Sequence, residues 1–349
     1  MSRRAATLTV ASVIVLVLAV VGSVMPVPYV ALQPGPTLNT LGTDDKGQPL
    51  IKIDGRETYP GEGHLNFTTV TYRGGPGGRI DLFSALRGWI SGDTAIVPEE
   101  TIFPDDESPK QVDEENTRQM QNSQQSAEAA ALRELGIDVT TRVVVQEVQK
   151  GRPADGVLKA GDEITAVNGT KATGVTQVVD GMADHKIGSE VTITYKRGGR
   201  EREAVVKTVA DPTGERPVVG IVLSDRFTFP FKINISVGDI GGPSAGLMFS
   251  LAIIDKLTPG PLTQGKFVAG TGTITPDGEV GPIGGIQQKM IAAREAGATI
   301  FLTPAGNCAD AAATRPDGLR LVRTDTVHGA VQALNNINSG KGDVPACTK

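Results

Sequence analysis

Cysteine and histidine are scarce in this sequence of 349 residues. Two cysteines (Cys308 and Cys347) and three histidines (His64, His185 and His328) are too few and too scattered for a zinc site, and neither H-E-x-x-H nor C-x-x-C occurs. No metal and no other cofactor is expected. The phosphate-cradling pattern G-x-x-x-x-G-K-[ST] is missing as well, so any work the chain does must proceed without an ATPase of its own. Basic stripes are also absent and the net charge is −5, which removes support for nucleic-acid binding.

What is present is apolar material: 39% of residues, against 21% charged, enough for two or three globular cores. Gly (43) and Pro (22) are frequent without a G-X-Y period, which suits turn-rich β or α/β structure rather than collagen. Charge is unevenly spread. Residues 99–115 hold eight acids (Glu99, Glu100, Asp105, Asp106, Glu107, Asp113, Glu114, Glu115) against Lys110 alone, and this run reads as a solvated linker.

Arg3 and Arg4 precede an uncharged stretch from Ala5 to Met25, which at about 1.5 Å per residue would cross a hydrocarbon core of roughly 30 Å. Pro26 and Pro28 end it, and the positive charges on its N-terminal side leave the body on the extracytoplasmic face of a cell membrane. A cleaved signal peptide is the rival reading. The apolar run is longer than such segments use and no Ala-x-Ala site follows, which favours a single-pass anchor over residues 1–30. Outside the membrane, Cys308 and Cys347 either pair, closing a loop of about 40 residues, or remain two buried thiols.

Residues 31–115 show short apolar runs (Leu65 to Tyr72, Ile80 to Ile90) broken by Gly74, Gly75, Gly77 and Gly78, consistent with a small β-rich region followed by the acidic linker. Gln119 to Leu135 is rich in Ala, Glu and Gln and predicts a helix. Beyond it the pattern predicts strands at Val143 to Val148, Ile164 to Val167, Val191 to Tyr195 and Ala204 to Val209. Between them lie a hairpin-type turn at Asn168-Gly169 and a helix carrying Val175, Val178, Val179 and Met182. With the phrase Val157-Leu158-Lys159-Ala160-Gly161-Asp162-Glu163-Ile164, residues 116–210 resemble the PDZ domains attached to bacterial proteases. The resemblance implies a groove that takes an extended C-terminal tail as an added strand, its carboxylate held by backbone N–H groups of a loop at Leu135, Gly136 and Ile137.

Phe231, Ile233, Ile235 and Val237 alternate with polar residues and lead to Gly241-Gly242-Pro243-Ser244-Ala245-Gly246, after which a largely apolar helix runs from Leu247 to Leu257. Ser244 thus stands at a helix start, where free N–H groups and the positive dipole end suit an oxyanion; an ordinary N-cap is the bland alternative. A second helix, Ile286 to Ala296, follows Gly284-Gly285, and Lys289 falls on its apolar face with Ile286, Met290 and Ala293. An ammonium there must be paired, snorkel to water, or lower its pKa until the neutral amine serves as a base. In the last case Ser244 and Lys289 form a nucleophile and general base without a histidine.

Gly242-Pro243-Ser244-Ala245-Gly246, Gly270-Thr271-Gly272-Thr273-Ile274 and Gly281-Pro282-Ile283-Gly284-Gly285-Ile286 with Lys289 look like the proteolytic domain of Lon proteases over Val218 to about Leu334. The implied roles are nucleophile for Ser244, base for Lys289 and hydrogen-bond partner of the lysine for Thr271. Many Lon enzymes carry Asp immediately before Gly-Pro-Ser, whereas this chain has Gly241-Gly242, so no acid-assisted detail transfers. Anchor, PDZ-like unit (116–210) and Lon-type domain (211–340), with a tail over 341–349, resemble the membrane-anchored PDZ-Lon proteases of Gram-positive bacteria. The expected fold is a multidomain α/β (α+β) chain, and the expected partners are protein or peptide substrates and the membrane. Lon-type domains associate into rings, which makes a homo-oligomer a further expectation.

Two other readings compete. Gly242-Pro243-Ser244-Ala245-Gly246 also satisfies G-x-S-x-G, so an esterase with Asp310 or Asp325 and His328 as triad partners fits the chain order. A non-catalytic scaffold that binds tails through its PDZ-like unit is the other.

Overall fold

The computed structural model describes residues 3–44, 46–75, 78–103 and 108–348. Gly77 of the glycine run and Asp105, Asp106 and Glu107 of the acidic run lie outside the described residues. The chain forms two compact bodies, one built from Met1–Ile137 with Phe231–Lys349 and the other from Asp138–Pro230.

The first body opens with α1 (Arg3–Val24), β1 (Tyr29–Asn39), β2 (Ile51–Asp54), β3 (His64–Gly74), α2 (Leu82–Ile90), β4 (Ala95–Pro98) and α3 (Pro109–Glu134). Helix α1 is long and apolar enough to cross a membrane, and almost all of it is exposed. A signal sequence near an N-terminus meets the same description.

The second body contains β5 (Thr140–Val148), β6 (Glu163–Val167), β7 (Thr170–Lys171), α4 (Val175–Ala183), β8 (Glu190–Arg197), β9 (Arg200–Lys207), β10 (Val209–Ala210), β11 (Pro217–Val218) and β12 (Ile221–Thr228). Its main sheet has the order β12-β5-β6-β8-β9, with β7 paired to β6. Alternating Val143, Val145, Val191 and Ile193 form its core, closed by Val178 and Met182 of α4. The turn at Asn168-Gly169 has positive φ at both residues, 48° and 78°, as a tight two-residue hairpin turn demands. The compact body extends past residue 210, where the PDZ-like unit was expected to end. Strand β12 pairs antiparallel with β5 along its length, from Ile221 opposite Val148 to Thr228 opposite Thr140, so the body runs on to Pro230.

The first body resumes with β13 (Lys232–Ile235), α5 (Gly246–Leu257), β14 (Phe267–Gly270), β15 (Thr273–Ile274), β16 (Val280–Gly281), α6 (Ile286–Glu295), β17 (Ile300–Pro304), α7 (Cys308–Ala313), β18 (Arg320–Thr324) and α8 (Val327–Ser339). Its six-stranded sheet has the order β18-β17-β14-β3-β1-β4, parallel from β18 to β3 and antiparallel beyond. Helices cover both faces. On one, Ile286, Met290 and Ala293 of α6 pack on Ala269, Phe301 and Leu321; on the other, Phe249 of α5 meets Phe67 edge to face at 5.4 Å. Cys308 and Cys347 are joined by a disulfide that ties the C-terminal tail to α7.

Two expectations fail here for related reasons. Residues 31–115 are not a separate region: Leu65 and Phe67 of β3 pair with Val268 and Gly270 of β14, so strands from the two ends of the chain complete one sheet. The acidic run is not a linker beyond Ser108. Ser108 and Gln111 form a reciprocal capping box with Pro109 in the first turn, and Asp113 to Glu115 sit inside α3, close to its positive end. Helix α3 therefore starts well before Gln119, and it belongs to the first body, where Ser250 Oγ of α5 donates to the Ala127 carbonyl at 3.2 Å.

Candidate active site

Strand β13 delivers the chain to the turn that carries Ser244, and α5 begins two residues later. Gly242 has φ of +85°, which bends the chain away from the strand, and its N–H donates to Asn116 of α3 at 2.8 Å. Gly246 opens the helix because nothing larger fits: a Cβ there would lie 2.5 Å from Ile274 Cγ2 and 2.9 Å from Ser123 Oγ. Ser123 in turn donates to the Pro243 carbonyl at 3.0 Å, so α3 braces the turn on both sides of Gly242-Pro243.

The segment after β14 holds the same turn from the opposite side. Gly272 N and Thr271 Oγ1 both donate to the Ser244 carbonyl, each at 2.9 Å, and Leu247 N returns a bond to the Gly272 carbonyl at 3.1 Å. The Ser244 hydroxyl makes no helix-capping bond. Nor do the N–H groups of Ser244, Ala245 and Gly246 have a hydrogen-bond partner among the described residues. Three donors at a helix start are thus available to an incoming oxyanion.

Lys289 comes from the first turn of α6. The turn before it is pinned by Asn307, whose side chain accepts from Ile283 N and donates to the Ile283 carbonyl, both at 2.9 Å. Lys289 is 2% exposed, and its Nζ lies 2.7 Å from Ser244 Oγ and donates to Thr271 Oγ1 at 3.1 Å. Among the described residues it pairs with no carboxylate, and burial alone lowers its pKa from 10.5 to about 7. Of the three fates open to that lysine, pairing and snorkelling are excluded. Thr271, fully buried, accepts from the amine while donating to the Ser244 backbone, an arrangement that ties the amine to the turn carrying the hydroxyl.

Ser244 and Lys289 line an open cleft of about 1490 Å³ in the first body. Its walls include Thr71 and Tyr72 of β3, Thr117 of α3 and Val237 from the segment before Ser244. Asn116, Ser123 and the β3 wall were not found by sequence reasoning, since nothing in α3 or β3 announces which face meets the serine turn.

Other expected site residues fall elsewhere. His328 does not approach Ser244: its Nδ1 lies 2.8 Å from Glu134 Oε1 and its Nε2 is 2.7 Å from Gln332 Nε2, on an exposed part of α8. Asp325 pairs with Arg323 at 2.8 Å, and Asp310 belongs to α7. The esterase triad is therefore not assembled. Leu135, Gly136 and Ile137 form the C-cap of α3, with Gly136 at φ +67°. Their N–H groups donate to the carbonyls of Ala131, Arg133 and Leu132, respectively, so the expected carboxylate-holding donors are taken by the helix end. No group of three or more His, Cys, Asp or Glu able to hold a metal occurs among the described residues.

Residues 231–333 match the Lon protease (S16) C-terminal proteolytic domain, and residues 117–208 match the PDZ domain. The chain carries a PDZ domain and a Lon-type serine peptidase domain. Among curated relatives, Lon protease of Desulforamulus reducens is 30% identical over 179 residues, which is 50% of this chain and 22% of that protein. Lon protease of Roseiflexus castenholzii is 45% identical over 123 residues, 35% of this chain and 15% of that protein. The serine protease Do-like HtrA of Lactococcus lactis is 40% identical over 91 residues, 26% of this chain and 22% of that protein. The matched stretches thus span no more than 22% of the length of these relatives.

Proposed function

We propose that this chain is a serine endopeptidase, anchored in the membrane by α1, that hydrolyses flexible or unfolded extracytoplasmic polypeptide segments without an ATPase of its own. The observation that carries the reading is the 2.7 Å approach of a buried, carboxylate-free Lys289 amine to Ser244 Oγ. The neutral amine accepts the hydroxyl proton as Oγ attacks the peptide carbonyl carbon. Negative charge gathers on the carbonyl oxygen, which the N–H groups of Ser244, Ala245 and Gly246 receive. The resulting ammonium gives its proton to the departing amine as the C–N bond breaks, leaving an acyl-enzyme; a water, deprotonated by the same amine, then attacks the acyl carbon, the C–Oγ bond breaks, and the ammonium returns the proton to Ser244 Oγ as the acid leaves. Thr271 holds the amine in position through both halves.

The remaining parts of the reading rest on other features. Arg3 and Arg4 on one side of α1 favour a body outside the cytoplasm, and the Cys308–Cys347 disulfide suits an oxidising compartment. The 349 residues contain no G-x-x-x-x-G-K-[ST], which supports a reading in which the substrates are segments already accessible. The PDZ domain recruits such segments by strand addition, with donors other than those of Leu135 to Ile137.

The test is cleavage of an unfolded protein by the full chain and by Ser244→Ala, Lys289→Ala and His328→Ala. The first two should be inactive and the third near normal. A serine-reactive probe should label Ser244 in the wild type and fail to label Lys289→Ala in its folded form. A Lys289→Ala enzyme that cuts as fast as wild type refutes the mechanism, and loss of activity in His328→Ala alone would restore the esterase.

A further inference from the structure

Helix α2 is built inside out. Its small residues Ala85 and Gly88 face the protein, with so little room that a Cβ on Gly88 would lie 2.4 Å from Ile96 Cδ1. Its large apolar residues face solvent: Phe83 is 44% exposed, Leu86 39%, Trp89 57% and Ile90 87%. At 100° per residue these four fall on one arc, with Arg87 at its margin. A helix of a water-soluble surface does the reverse.

The position of α2 says what covers that arc. Gly22 is the buried residue of α1, and a Cβ on it would lie 2.8 Å from Phe83 Cε2, so the Phe83 ring rests on α1 two residues before its end at Val24. Along a helix axis that is about 3 Å. The start of α2 is tied to the same level: Val27 N donates to Ile80 O at 3.0 Å, and Leu82 N donates to Met25 O at 3.1 Å. Tyr29 and Trp89 stack edge to face at 5.8 Å, placing two interface-preferring rings where the chain leaves α1.

We propose that α2 is an interfacial helix, lying in the headgroup region of the leaflet from which α1 emerges, with Phe83, Leu86, Trp89 and Ile90 laid into the lipid. The inference rests on the reading of α1 as a membrane span. It deepens the functional reading, because α2 gives the peptidase domain a second contact with the bilayer and fixes its catalytic cleft near the surface. Leu32 of the cleft wall follows Val24 by eight residues, a reach of at most about 28 Å of extended chain. Just past α2, the carbonyls of Gly92 and Asp93 accept from Gln287 Nε2 at 3.0 Å and Gln288 Nε2 at 3.4 Å, the two residues before Lys289. The substrates this geometry serves are polypeptide segments lying close to the outer membrane surface.

Trp89 is the only tryptophan of the chain, so its fluorescence reports on α2 alone. The full chain is reconstituted into phosphatidylethanolamine–phosphatidylglycerol vesicles, with and without lipids brominated at the upper part of the acyl chains. Wild type should float with the vesicles, show blue-shifted emission and lose most of it to bromine. The triple variant Phe83→Ser, Leu86→Ser, Ile90→Ser, at exposed positions remote from Ser244, should still float and still cleave a soluble unfolded protein, while bromine quenching falls severalfold. A floating wild type whose Trp89 is reached by aqueous iodide and untouched by bromine overturns the proposal and leaves the anchor standing. Trp89 shielded from both quenchers, with cross-linking between copies through α2, overturns it in favour of self-association. A chain that does not float at all removes the anchor reading and this one with it.

Discussion

Lys289 in the peptidase body and Asp162 in the PDZ body are equally buried, at 2% and 1% exposure, and their surroundings have opposite effects. Burial opposes ionisation of Asp162, yet Arg197 answers it with two hydrogen bonds, Nε to Oδ1 at 2.7 Å and Nη2 to Oδ2 at 2.6 Å. The Lys159 N–H adds a third at 2.8 Å, and the carboxyl ends below its ordinary pKa. Among the described residues Lys289 has two hydroxyl oxygens as hydrogen-bond neighbours and no carboxylate partner, so burial goes unopposed and lowers the amine's pKa to about 7. A buried charge that is paired stays ionised; one left unpaired is pushed toward its neutral form.

The sharpest way to break this contrast is Lys289→Met. If the unpaired amine is the base, cleavage should fall by at least about 10³-fold. The same change removes a costly buried group, so the protein at pH 7 should become more stable by on the order of 2 kcal/mol, read by denaturant unfolding. Unchanged cleavage would remove the lysine from catalysis, and a clear loss of stability would show that the amine is a structural member.

Asp162→Ala should do the opposite, destabilising the PDZ body by about 2 kcal/mol while the peptidase body still cuts an unfolded protein. The pH signs differ as well. The Asp162 contribution is present above the unfolded carboxyl pKa of roughly 4 and is lost as pH falls below it. For Lys289 the folded state binds fewer protons than the unfolded state between about 7 and 10.5, so its contribution rises with pH across that window. If the neutral amine is the base, kcat/KM should drop about tenfold per pH unit below about 7. A profile flat from pH 6 to pH 9 would contradict the lowered pKa.

The smallest expected effect is that of Thr271→Val, which removes one hydroxyl between the lysine and the serine backbone. A loss of about fivefold in kcat with KM little changed, equal to roughly 1 kcal/mol, is the outcome for a positioning residue. A downward move of the pH midpoint would mean that Thr271, as an acceptor that favours the ammonium, also sets the amine's pKa.

Local chemistry was legible in the sequence wherever a few neighbouring residues define it. The apolar stripe of Ile286, Met290 and Ala293 placed Lys289 inward, and Asn168-Gly169 marked a tight hairpin turn that the backbone has. Long-range assembly was not legible. Strand β3 finds β14 just over two hundred residues later in the chain, with the sequence of the PDZ body between them, so residues 31–115 read as a region of their own. The polar, acidic start of α3 concealed a helix whose Asn116 and Ser123 brace the serine turn. The same blindness kept His328 in contention, since chain order suited a triad that the fold does not assemble.

Residue identity alone determined that a serine would stand at the mouth of a buried helix and that a lysine would be forced onto an apolar face, because both follow from helix periodicity. Their meeting at 2.7 Å, without a carboxylate near the amine, was decided only by the tertiary structure. Desolvation and proximity are properties of everything packed around a group, and here that packing comes from α3, β3 and β14 as well as from the two helices themselves.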